Sequence, residues 1–289
     1  MNPRRLGTVR WLGAFTLLTL AALAALAWSL VEERSSAALG AQAPRAKTTH
    51  PDSSAAPPEP LATRLYVDTG GAALTLASAG ADARLVEVVQ GGARWQGSAL
   101  PGDQVRLLPT GEPGPWTLAL APGEPWDIHV GAGAERVRFD LADLPLRALR
   151  VDAPSGAVEG TLPRTGRTEL ALGALRSSLW LKRGSSVDAR LTLGAGALVL
   201  RIDPDARGRL ELVPDAGPAT LIVDAGVSVA LELPPGEPPP LALEGTWWRY
   251  PRDGGITWVR APVATPPDQA ELTLTLGAPG RAPIAVTYR

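Results

Sequence analysis

The residues able to do chemistry in this chain are few and scattered. His50 and His129 are the whole supply of imidazole, and there is no cysteine. Thiolate catalysis, disulfides and cysteine metal sites are therefore excluded. His129 lies in "WDIHVGAG", where strand alternation puts Ile128 and Val130 on one face and the histidine on the other, as a solvated histidine would sit. His50 stands in a Pro/Ser/Ala-rich stretch. No second histidine or cysteine lies at metal-ligand spacing. A Ser-His-Asp triad would have to recruit one of these two histidines, and there is no G-x-S-x-G elbow.

The carboxylates offer more. "RIDPDARG" carries Asp203 and Asp205, "VPDAG" carries Asp215 and "VDAG" carries Asp224. A polysaccharide-cleaving pair needs two such groups roughly 5–9.5 Å apart, one of them with a raised pKa. All four stand close to Gly or Pro, at positions where aspartate caps turn amides. The turn role is the stronger reading. A weak Ca²⁺ site and an enzyme of the β-solenoid kind are the alternatives it has to beat. "GAGAER" at Gly131–Arg136 is no dinucleotide fingerprint, because Arg136 stands where the third glycine belongs and a strand follows. There is no Gly-Lys-Ser/Thr for a phosphate loop, so we expect no metal and no cofactor.

Aromatic residues are scarce, which draws attention to "GTWWRYPRDGGITWV" with Trp247, Trp248, Tyr250 and Trp258, and with Arg249 and Arg252 between them. Rings of this kind either cap the open end of a repeat fold or form a stacking platform for a sugar or a protein, since Trp, Tyr and Arg dominate binding hot spots. Alternation pairs Trp247 with Arg249 and Trp248 with Tyr250. The reading is that Trp248, Tyr250 and Trp258 are core or cap, and that any partner contact runs through Trp247 and Arg249.

The elements that must position these residues are strands. From Leu61 to Arg289 the apolar period is two. "ELTLTL" puts Leu272, Leu274 and Leu276 on one face, and "VRFDL" does the same with Val137, Phe139 and Leu141. Gly, Pro and Asp punctuate the strands at intervals of roughly 8–12 residues, an all-β signal. "GAG" recurs at Gly131–Gly133 and Gly194–Gly196, and "DAG" at Asp215–Gly217 and Asp224–Gly226. Such headers read as corners of stacked rungs, with glycine supplying φ > 0 at Gly133 and Gly196. The irregular spacing leaves a β-sandwich as the alternative.

Upstream, "WLGAFTLLTLAALAALAWSLV" from Trp11 to Val31 has no charge and follows Arg4, Arg5 and Arg10. As a helix, 21 residues span about 31 Å, enough to cross a bilayer. The arginines place the N-terminus in the cytoplasm. A cleaved signal peptide, with Ala25–Ala27 as its small-x-small site, is the competing reading. The chain thus divides into a cytoplasmic tail (1–10), a transmembrane helix or signal anchor (11–31), a flexible Pro/Ala/Ser-rich tether (32–60) and an extracytoplasmic all-β domain (61–289). A net charge of −1 gives no field to attract nucleic acid.

"PWTLALAPGEPWDIHVGAGAERVRFDLADLPLRALRVDAPSGAVEGTLP" resembles the bacterial toast-rack domain, related to LiaF-like cell-wall-antibiotic-response proteins and head-GIN adhesins. Trp116, Leu118 and Leu120 lead to the Gly-rich corner. A rung follows with Asp140, Leu141, Leu144, Leu146, Leu149 and Val151, then a strand ending at Leu162 and Pro163. The resemblance implies a right-handed β-solenoid-like fold in an envelope protein, and for the LiaF-like relatives a part in sensing envelope stress. This chain has one membrane segment where those relatives carry several. Together these readings describe a membrane-anchored structural or interaction protein, with the membrane, an envelope protein or a glycan as partner and no enzymatic activity.

Overall fold

Strict alternation of apolar and polar residues yields strands with one buried face, and two such faces close on each other. The computed structural model describes residues 62–80, 86–90, 93–97, 104–109, 114–131, 133–235, 239–252, 255–261, 266–277 and 282–289. The tail, the apolar segment 11–31 and the tether lie outside these residues. Among the described residues, no helix is long and apolar enough to cross a membrane.

The first strands are β1 (Thr63–Val67), β2 (Leu74–Ser78), β3 (Val86–Gln90), β4 (Ala93–Gly97), β5 (Gln104–Pro109) and β6 (Trp116–Leu120). The middle of the domain holds β7 (Trp126–Val130), β8 (Arg136–Asp140), β9 (Leu146–Ala153), β10 (Ala157–Thr161), β11 (Arg167–Leu172) and β12 (Ser177–Leu181). Then come β13 (Ser186–Leu193), β14 (Leu198–Ile202), β15 (Arg207–Pro214), β16 (Ala219–Val223), β17 (Val229–Leu233) and β18 (Leu241–Leu243). The last are β19 (Trp248–Arg252), β20 (Gly255–Arg260), β21 (Leu272–Leu276) and β22 (Ile284–Tyr288).

From β7 to β16 the chain alternates between two sheets, and each strand pairs in parallel with the one two places on. Each coil therefore gives one strand to each sheet. Ser186 pairs with Arg207, Ser177 with Leu198 and Leu198 with Ala219, so these later coils share one offset, whereas Ala148 with Arg167 and Glu159 with Ser178 show the coils just before them to be two residues shorter. The result is a solenoid-like all-β stack, and the β-sandwich alternative falls. A sandwich is antiparallel; here antiparallel pairs are confined to β3, β4, β19 and β20 near the two ends.

Both ends break sequence order. The first sheet runs β19-β20-β17-β21-β15-β13-β11-β9-β7-β1-β5-β4, and the second β18-β22-β16-β14-β12-β10-β8-β2-β6-β3. The opening coil, β1 and β2, is held between β5–β6 and β7–β8. The closing coil, β21 and β22, is held between β15–β16 and β17–β18. The antiparallel β3, β4, β19 and β20 continue the sheets past these inserted coils, while the parallel β18 is outermost at the other end of the second sheet.

Between the sheets lies one apolar core, built from inward rows such as Leu170, Leu191, Leu212 and Leu276 facing Leu179, Leu200, Leu221 and Val286. Trp116 and Trp126 are fully buried near the N-terminal end, and the Trp126 indole donates to the Ala121 carbonyl at 2.9 Å. At β10 the inward row is interrupted by Gly160, and the Val158 amide instead meets the buried Ser177 hydroxyl at 3.1 Å.

The two "GAG" headers occupy the same corner, after β7 and after β13. The "DAG" headers do not: Asp215–Gly217 follows β15, whereas Asp224–Gly226 follows β16 at the opposite corner. Gly133 has φ +119°, but Gly196 is not in the left-handed region. Its need for glycine is close approach: a Cβ there would fall on the Leu175 carbonyl oxygen one rung below.

Candidate interaction surface

Stacking in register turns isolated outward side chains into rows. On the twelve-stranded sheet one row crosses eleven strands. It runs Arg106, Tyr66, His129, Arg150, Glu169, Arg190, Glu211, Thr275, Glu232, the buried Thr257 and Tyr250. A second row alongside it carries Arg167, Asp188 and Arg209. Opposite charges face each other from strand to strand, the arrangement that stabilises neighbouring strands where like charges would repel. Across strands, Arg190 and Glu211 approach to 3.7 Å; within single strands, Arg167 and Glu169 lie 2.9 Å apart and Arg150 and Asp152 3.3 Å. These side chains are largely solvated, and each such pair is worth about 0–1 kcal/mol.

His129 faces outward as alternation requires, opposite Ile128 and Val130. Its Nε2 lies 3.3 Å from Asp152 Oδ2, and its ring is tilted against Tyr66 at 5.6 Å. The Arg106 guanidinium lies 5.5 Å from the Tyr66 ring on the other side. Four shallow depressions of about 200 to 520 Å³ lie along this face. Arg190 lines two of them, and Arg209 one of those and a third.

The aspartates singled out from the sequence all sit at corners, and of the four Asp224 is the one that caps a turn amide. The Asp224 carboxylate accepts from the Gly226 amide at 3.0 Å. Asp205 takes the left-handed conformation, φ +59°, and pairs with Arg183 at 3.2 Å. Asp203 accepts from Arg289 at 2.8 Å. Asp215 is exposed, and its amide donates to the Leu193 carbonyl at 3.1 Å. Among the described residues, no three His, Cys, Asp or Glu side chains are grouped to hold a metal ion. His50 lies outside the described residues.

No family model matches the chain, and no curated protein matches it. A solved structure similar to it is that of a provisionally named cell adhesion protein from Clostridium sporogenes, at 11% identity and a TM-score of 0.35, covering 80% of this chain and 94% of that one. A likeness this distant leaves fold and function to be argued from this chain's own residues.

The aromatic cluster departs from its sequence reading. Trp247 and Trp258 pack against the core, whereas Trp248 does not. The split of rings by alternation holds and Trp258 packs inward as expected, but the faces of Trp247 and Trp248 are reversed. Arg249 stands opposite Trp258, and Trp258 opposite the core residue Leu231, so Trp247 and Arg249 belong to the inward register. Trp248 lies opposite Val259 on the outer register. The Trp247 indole donates to the Glu244 carbonyl at 3.0 Å, and its ring meets Tyr288 edge-on at 6.1 Å. Arg260 covers the other part of that Tyr288 ring, 3.2 Å from its centre. Burial pushes the Tyr288 phenol up to about 12 against the opposing charge of Arg260. Trp247 is therefore an end-cap residue, and only Arg249 of the proposed contact pair is exposed. The Arg252 side chain lies outside the described residues.

Among the described residues, the tryptophan that stands exposed is one that sequence reasoning passed over. Trp180 stands on the outer face of the ten-stranded sheet, 38% exposed, with Lys182 at 5.7 Å and Arg201 at 6.0 Å from its ring. The signal was present in "SSLWL", where alternation puts Trp180 opposite Leu179 and Leu181. It was masked by the denser aromatic run downstream.

Proposed function

We propose that this protein is a membrane-anchored, extracytoplasmic interaction scaffold of a bacterial envelope, and that it is not an enzyme. The observation that supports the reading is the joining of two parts in one chain. An uncharged 21-residue segment follows three arginines, and behind it stands a stacked all-β domain whose outer faces are rows of paired charges. The first part fixes the chain in a bilayer with its C-terminus outside. The second offers broad, regular faces suited to extended contacts, as solenoid folds do. The turn carboxylates that would serve a glycosidase are engaged in caps and ion pairs at the corners.

The experiment is a reporter active only outside the cytoplasm, fused after Arg289, together with N-terminal sequencing of the mature chain. An active reporter and an intact N-terminus are the expected results. A silent reporter would reverse the topology and remove the reading. A mature chain beginning near Trp28 would replace the anchor by a cleaved signal peptide. Turnover of a cell-wall or capsular polysaccharide that disappears in Asp203→Asn or Asp205→Asn would make the protein an enzyme.

A further inference from the structure

We propose that the trough along the outer face of the twelve-stranded sheet binds a linear, uncharged glycan laid across the strands. The inference rests on the scaffold reading above and names its ligand.

Continuity is the first support. Adjacent depressions share Arg190 and then Arg209. The fourth adjoins the others through His129, which bonds Asp152. From β5 to β19 there are ten strand steps, or about 48 Å at the usual strand spacing. That suits a polymer better than a compact ligand.

Periodicity is the second. From Arg150 through Glu169 and Arg190 to Glu211 the pattern repeats every second strand, about 10 Å. In an extended β-linked polysaccharide each pyranose advances by about one strand spacing, ~4.8 Å, and alternate rings are turned over. Its hydrogen-bonding pattern therefore also repeats every two units. Successive sugars can meet the same pair of groups, a guanidinium that donates and a carboxylate that accepts.

Charge chooses among polymers. Because Arg and Glu alternate and pair, the row has no net field to hold a polyanion, while charge-assisted bonds to hydroxyls stay available on both sides. Tyr66 lines the depression at one end, and Tyr250 with Pro251 the one at the other. Between them, small side chains such as Ala171 and Thr192 keep the floor low.

The test is calorimetric titration of the full chain in detergent. The ligands are cello- and chito-oligosaccharides from tetra- to octasaccharide, with polygalacturonate and a peptide of residues 35–60 as competitors. Affinity for a neutral series should rise by about tenfold from the shortest to the longest. Ala171→Trp, which fills the middle of the trough, should lower it by about tenfold or more. Trp180→Ala, on the other sheet, should leave it unchanged. If Ala171→Trp fails to fold, the double replacement Arg190→Gln with Glu211→Gln removes one repeat without leaving a lone charge, and should weaken binding likewise. The proposal is overturned if no neutral oligosaccharide binds, if affinity is independent of length, or if only polygalacturonate or the peptide binds. It is also overturned if binding is lost in Trp180→Ala and kept in both trough variants. A reporter active outside the cytoplasm with no glycan binding would reject the ligand and leave the scaffold standing.

Discussion

Gly217 lies directly over Gly196. The Gly217 amide donates to the Gly194 carbonyl at 2.8 Å, and a Cβ on Gly217 would fall on the Gly196 carbonyl oxygen. Gly196 stands in the same relation to Leu175, and Gly173 to Ala153. One corner of the stack is thus a column in which backbone rests on backbone. None of these glycines has positive φ, so conformational freedom is not what selects them. We expect Gly196→Ala and Gly217→Ala each to cost about 1–3 kcal/mol or more, the range for forcing atoms into packed space. Gly226→Ala, where a Cβ meets only the Asp224 side chain at ordinary contact distance, should stay within about 1 kcal/mol. Denaturant midpoints of the three variants check this; equal midpoints would remove the close-approach explanation.

This column shows what could be read in the sequence and what could not. Glycine at the corners was legible because Gly, Pro and Asp break the alternation there. The reason for Gly196 was not, since the atom it must avoid belongs to Leu175 and comes near only when coils stack. The strands, their inward residues such as Leu272 and Phe139, and the outward His129 follow from period two alone. The row Arg150–Glu169–Arg190–Glu211 does not, because cross-strand neighbours depend on register between segments far apart in the chain. Trp247 was misplaced for a related reason: alternation says which rings share a face, and packing against Tyr288 decides which face is covered.

Tyr288 makes stability fall at high pH. Its phenol is raised by burial to about 12 from the ordinary 10.0. The unfolded chain therefore loses this proton first. Between those two values the unfolded state binds fewer protons than the folded one, and unfolding becomes easier as pH rises. Below pH 10 the group contributes no slope. Urea melts at pH 9 and pH 11.5 should show a smaller loss in Tyr288→Phe than in the parent chain; equal losses would show that the phenol does not titrate as a buried group.

Trp247 and Trp180 separate the structural aromatic from the exposed one. Trp247 packs on the core and closes over Tyr288, so Trp247→Ala should cost at least about 2 kcal/mol, below the 3–5 of a fully buried ring. Trp180 is 38% exposed on the outer face and flanked by Lys182 and Arg201, so it buries less, and Trp180→Ala should cost about 1 kcal/mol. Thermal melts of the two variants decide the assignment. A Trp180→Ala loss as large as that of Trp247→Ala would make the exposed ring structural.

The closing coil is wedged rather than added. Leu272 of β21 pairs with Gly208 of β15 on one side and Val229 of β17 on the other. Polar contacts fix the wedge on the β17 side. The Glu271 carboxylate accepts from the Ser228 amide at 3.0 Å while the Glu271 amide donates to the Ser228 hydroxyl at 2.9 Å. Further along, the Thr275 hydroxyl donates to Glu232 at 3.2 Å. In a stack built in sequence order, deleting the last coil removes one layer and leaves the rest intact, because each repeat contacts only its neighbours. Here deletion from Glu271 onward would strip a partner from both β15 and β17, and from β16 and β18 in the other sheet. The segment β17–β20 would then have no sheet to join, although none of its own residues is missing. We expect limited proteolysis of the deletion variant to cut within 229–260 while β9–β14 stay protected, and hydrogen exchange to show the same boundary. Protection of 229–260 in the deletion variant would mean that β17 can dock directly on β15, and that the closing coil is a layer like any other. The milder variant Glu271→Ala leaves the coil in place and removes only the carboxylate from Ser228. It should loosen β17 without releasing β19 and β20, which separates loss of the lock from loss of the wedge.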